Sequence, residues 1–124
     1  MKQVLFIIGL FTITMGANAQ KATWKEMNDF HGVMSDAFHS SEEDNLQPLK
    51  QRAGELVSKA KVWQASAVPQ GYNAELAKPI LKKLVKQCEA IKKSVKKKKS
   101  DAELKTLIAE AHDTFHEIME KCRM

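Results

Sequence analysis

The sequence predicts an all-α protein, folded as an antiparallel up-down-up-down four-helix bundle. Three observations point there. Apolar residues recur at spacings of three and four along four separate stretches, as they do in helices that bury one face. Only five glycines and three prolines occur in 124 residues, and aromatic residues make up 6%, which favours helices over the turn-punctuated strands of a sandwich or barrel. The connections are short, which makes neighbouring helices antiparallel. At 44% hydrophobic and 28% charged residues, the chain is apolar enough for one core and long enough for one domain.

Residues 1–19 stand apart as an expected signal peptide. Lys2 gives a positive start, residues 4–15 are apolar apart from Gly9 and two threonines, and Ala17-Asn18-Ala19 has the small-x-small form of a cleavage site. The apolar run of about 12 residues is shorter than the roughly 20 that span a bilayer. No cysteine follows it to take a lipid. The four-helix domain is then residues 20–124, expected in the periplasm or outside the cell, without stable membrane insertion.

The first helix is expected over about 23–39, with Trp24, Met27, His31, Met34 and Phe38 as its stripe and Phe30, Val33 and Ala37 widening one flank. Ser40, Ser41 and Asn45 interrupt it, and Pro48 suits the first turn of the next helix. That helix covers about 48–67, with stripe Leu49, Ala53, Leu56, Ala60, Trp63 and Ala67, closed by Pro69 and Gly71. The third begins between Asn73 and Pro79 and runs to about 97, with Ala77, Leu81, Leu84, Cys88, Ile91 and Val95 inward. Pro79 is either a first-turn residue or a kink. Ser100 and Glu103 form a capping box for the fourth helix, 101–122, whose stripe is Leu104, Ile108, Ala111, Phe115, Ile118 and Cys122.

Several classes of function are absent from the pattern. There is no glycine-rich phosphate loop, no GxSxG elbow and no CxxC pair. Lys92, Lys93 and Lys96 to Lys99 crowd the end of the third helix, where cations favour the helix dipole and a solvated face. No aromatic residues interleave them to stack bases, so no nucleic-acid partner is expected, while weak contact with anionic headgroups stays open. Cys88 and Cys122 stand about 16 Å apart in height in a straight bundle, at ~1.5 Å per residue, beyond disulfide reach unless the terminus bends. Cys88 then reads as a small buried hydrophobe and Cys122 as a near-terminal residue.

All four histidines fall on the first and last helices: His31, His39, His112 and His116. His112 and His116, four apart, put two imidazoles on one helix face, a bidentate metal arrangement. With the first helix starting near residue 22 and the last ending near 123, antiparallel packing sets His31 level with about residue 114. The expected metal ligands are therefore His31, His112 and His116, with Met27, Met34 and Met119 as soft contributors. Imidazoles suit copper or zinc, and thioethers would favour cuprous copper. His39, about 12 Å along the helix from His31 at ~1.5 Å per residue, belongs elsewhere, with Glu42 and Glu43 in a weaker second site.

The stretch Leu104-Lys105-Thr106, followed by His112 and Phe115, resembles the last helix of four-helix b-type cytochromes, a group related to cytochrome c-prime. That resemblance implies haem b with Met27 and His112 as axial ligands, for electron transfer. Ile108 and Ala111 stand where CxxCH would need cysteines, so the haem would be held non-covalently. The pairs Phe30-His31, Phe38-His39 and Phe115-His116 are also similar to small exported bacterial proteins carrying FHxxM…FH and HDxFH motifs, a resemblance that implies no activity.

Three functions follow as expectations. The first is a non-enzymatic, exported protein that handles a transition metal through histidines between its first and last helices. The second is the non-covalent haem protein. The third is an interaction module in which the histidines are structural and the basic end of the third helix meets an acidic partner, such as an envelope protein.

Overall fold

The computed structural model describes residues 23–124; the expected leader at 1–19 lies outside the described residues. Four helices form the bundle: α1 over Lys25–Glu42, α2 over Gln47–Ala65, α3 over Ala74–Lys96 and α4 over Asp101–His116. A π-helical turn, Glu117–Lys121, extends α4. Each helix packs on its chain neighbours and α4 closes on α1, which is up-down-up-down connectivity.

Local chemistry explains most boundaries. Pro48 sits in the first turn of α2, where its missing N–H is no loss. The Asn73 side chain accepts from the Leu76 N–H at 3.1 Å and caps α3, and Ser100 accepts from Glu103 N–H at 3.1 Å to cap α4. Pro79 lies inside α3 rather than in its first turn, on the exposed face.

Other boundaries differ from the sequence reading. α1 continues through Ser40 and Ser41, because the Ser41 hydroxyl donates to the Phe38 carbonyl at 2.8 Å and stays in the helix while buried. The α-helix expected to reach 122 ends at His116 and widens into the π turn. Beyond it the chain is tied down: Met124 N–H donates to the Gly71 carbonyl and Asn73 N–H to the Cys122 carbonyl, both at 2.7 Å. Gly71, at φ 99, supplies the left-handed conformation that this clasp requires.

The inward faces meet in one continuous core. At the clasp end, the Trp24 ring lies 5.7 Å from Trp63 and 5.1 Å from Tyr72, and its indole N–H donates to Ser66 at 2.9 Å. Midway, Phe30, Trp63 and Phe115 pack mutually at 5.5–5.8 Å. Cys88 and Cys122 are both buried and free. Cys122 sits beside Asn73, so Cys88 lies about 22 Å further along α3 at ~1.5 Å per residue.

The stripe of α1 is rotated from the expected one. Met27, Phe30, Val33, Met34 and Ala37 are buried, while His31 is exposed and Phe38 half-buried. The all-apolar flank wins the core because a buried imidazole would have to be desolvated. Val95 is only half-buried, and Ala67 lies exposed beyond the end of α2.

Lys98, at φ 56, ends α3 in the left-handed region that glycine adopts without steric penalty. Lys98→Gly is expected to stabilise the protein by about 0.5–1 kcal/mol, raising Tm by several degrees in a thermal melt.

Candidate metal centre

The Phe-His pairs divide their side chains between core and rim. On α1, Phe30 is buried and His31 exposed; on α4, Phe115 is buried and His116 half-buried. Consecutive residues on a helix point about 100° apart, so a phenyl at the core edge puts the next imidazole over the rim. Across the α1–α4 seam these rings pair reciprocally. His31 of α1 stacks on Phe115 of α4 at 4.9 Å. His112 of α4 stacks on Phe38 of α1 at 3.8 Å, with the planes 7° apart.

One pair of imidazole nitrogens is brought together. The Nε2 atoms of His112 and His116 face each other at 3.2 Å. Metal–nitrogen bonds of about 2.0–2.1 Å meeting near 100° would also separate two ligand nitrogens by about 3.1–3.3 Å. His116 is oriented from its far side, where Nδ1 lies 3.0 Å from a Glu120 carboxylate oxygen. An Nδ1–H donated to that carboxylate leaves Nε2 of His116 with a free lone pair, directed at His112. Without a metal, Nε2–H of His112 then donates to it.

The rest of the expected ligand set is distributed differently. His31 lies at the height read from the sequence, but its ring rests on Phe115 and it does not join the His112–His116 pair. Met27 and Met34 are in the core, 4% and 0% exposed, and Met119 packs half-buried against it. His39 shares the Phe38 ring with His112, at 5.5 Å from the phenyl, and its Nδ1 lies 3.4 Å from Glu42. Sequence reasoning placed His39 apart from His112, and it overlooked Glu120, although the spacing of four from His116 was there to read. Among the described residues, no three His, Cys, Asp or Glu side chains converge as a ready-made metal cage. What the geometry brings together is one pair of imidazole nitrogens on one helix face. Beside it, an open depression of about 330 Å³ is lined by Asp113, His116, Glu117, Glu120 and Lys121.

A porphyrin bridging Met27 and His112 would have to displace rings already in contact. Phe30, Trp63 and Phe115 fill the interior there, and His112 lies flat on Phe38. No known family model, curated protein or solved structure matches the chain, so function is argued from this geometry alone.

Burial holds the pKa of His112 below its ordinary value of 6.5; the nearby His116 and His39 lower it further, against the opposing pull of Asp113 and Glu42. Unfolded, His112 takes up its proton at higher pH than when folded. Its contribution to stability is therefore present above about pH 6.5 and is lost as pH falls through the folded value. In metal-free protein, Tm is expected to fall between pH 7.5 and 5.5. His112→Gln should flatten that slope, which thermal melts across the range would show.

Proposed function

We propose that the protein binds a divalent transition-metal ion at the His112–His116 pair and serves to hold or hand on that metal. The observation that carries this reading is the 3.2 Å approach of the two Nε2 atoms, with Glu120 setting the tautomer of His116. Imidazoles held by a carboxylate behind them are a recurrent metal-binding arrangement, in which the rear partner fixes the ring and raises its basicity. His39 and Glu42 stand close enough to His112 to act on its charge.

The donor set decides between metals. With Met27 and Met34 in the core, soft thioether ligation has no support, and nitrogen and carboxylate donors suit cupric copper or zinc. Cupric copper is the stronger binder at such sites in general. Open coordination favours exchange over permanent storage, which fits buffering or delivery. If the leader at 1–19 exports the chain, that metal traffic takes place in the cell envelope or outside.

Calorimetric titration of the metal-free protein with Cu²⁺ and with Zn²⁺ tests this. One equivalent should bind, copper more tightly. His112→Ala with His116→Ala should abolish the site, and Glu120→Gln should weaken it about 10–100-fold. His31→Ala should leave affinity unchanged. At a free concentration about 100 times Kd, metal should add about 2.7 kcal/mol of stability. Stoichiometric binding that survives the double substitution would overturn the proposal.

A further inference from the structure

The charges of this chain are strongly segregated, in a way that the histidine site does not use. Between residues 74 and 99 stand ten lysines and two glutamates, a local charge of +8 in a chain whose total is +5. The remainder is therefore net negative, at −3. Among the described residues, only Lys83 of those ten lysines reaches a carboxylate, Glu117, at 4.0 Å.

Helical spacing arranges the rest. Lys82, Lys86, Lys93 and Lys97 follow at steps of four, seven and four, one exposed line along α3. At ~1.5 Å per residue the line is about 22 Å long. Beside it, a groove of about 260 Å³ between α2 and α3 is lined by Val57, Lys61, Glu89, Lys92, Lys93 and Lys96; Glu89 is taken up by Lys61 at 3.3 Å, which leaves three lysines on the α3 side without a carboxylate. The groove on the other flank of α3 is mainly acidic, with Glu110, Asp113 and Glu117 against the single cation Lys83.

We propose that the α2–α3 face docks on a bilayer surface rich in anionic phospholipid, with headgroup phosphates seated among Lys82, Lys86, Lys93 and Lys96. Charge complementarity is the ground for it. The face presents the row Lys82, Lys86 and Lys93 with Lys96 of the groove beside it, a spread of ammonium groups suited to a diffuse plane of charge. It carries no arginine for bidentate phosphate or base contacts: Arg52 is engaged with Glu55 and Asp36, and Arg123 lies over Tyr72. It also offers no exposed aromatic ring on which a base could stack, since both tryptophans and Tyr72 are buried. The α1–α4 seam is on the side of the bundle opposite α2–α3, so a docked molecule presents His112 and His116 to the aqueous side.

Co-sedimentation of the full chain with vesicles tests the proposal. Vesicles of phosphatidylcholine alone are compared with vesicles one-third phosphatidylglycerol, at low and at raised salt. Binding is expected on the anionic vesicles only, and should be lost as salt rises. The fourfold variant K82Q/K86Q/K93Q/K96Q should lose about fivefold in partitioning per lysine, several hundredfold in all. The same four positions changed to arginine should bind as the parent does, which keeps the test valid should the glutamine variant fold poorly. Any contribution from the apolar run at residues 4–15 is common to all variants, so the difference between them isolates α3. Equal binding to both vesicle types, an arginine variant that fails to bind, or a folded glutamine variant that binds like the parent would each overturn the proposal. So would tighter binding to a short DNA duplex than to anionic vesicles at the same salt.

Discussion

The bundle depends on how its last helix closes against its first. Three covalent connections keep α1 beside α2, α2 beside α3 and α3 beside α4, but α4 meets α1 only through side chains. Those side chains are aromatic and exchanged: Phe30 against Phe115, His31 over Phe115, and His112 over Phe38. A phenyl buried at the core edge gives each imidazole an apolar face to lie on, while its nitrogens remain at the rim. The imidazoles thus contribute to packing and keep lone pairs available. Because His112 belongs to both the seam and the nitrogen pair, closure of the bundle and assembly of the imidazole pair are one event.

The opposite constraint acts at the chain end. Cys122, Arg123 and Met124 are bound to the 71–73 segment by backbone bonds, and the Arg123 guanidinium donates to the Tyr72 hydroxyl at 2.8 Å while lying over its ring. Trp24 and Trp63 pack behind that clasp, so both ends of the described chain are fixed at one end of the bundle. The π turn lies between this anchor and His116. Glu120, within that turn, still reaches His116 at 3.0 Å. The imidazole pair therefore sits between two fixed points, the seam at His112 and the clasp at Cys122.

Much of this was legible in the sequence, and the exceptions have physical reasons. The four stripes give four helices, and the capping box at Ser100 gives the start of α4 to the residue. The height of His31 against Phe115 follows from counting along antiparallel helices. Rotation was harder. On α1 two apolar stripes overlap, and the one containing His31 and Phe38 loses to the one containing Phe30 and Ala37, a difference of about one residue in phase. That shift separates Met27 and Met34 from the rim and moves His39 next to Phe38 and His112. The π turn gives no signal of its own, and the clasp it leads into is made with Gly71 and Asn73, about fifty residues earlier in the chain.

The Nε2 atoms of His112 and His116 meet because Glu120 holds the tautomer of one and Phe38 the ring of the other, and a bound metal would replace the His112 proton that lies between them. Long-range proton–nitrogen NMR of the imidazoles tests it most directly, on metal-free protein near pH 8 and then with one equivalent of Zn²⁺. Expected is a fixed Nδ1–H tautomer at His116, followed by joint movement of the two Nε2 resonances to metal-bound positions while His31 stays unchanged. A His116 that averages between tautomers, with small equal shifts at all four histidines on adding zinc, would contradict it.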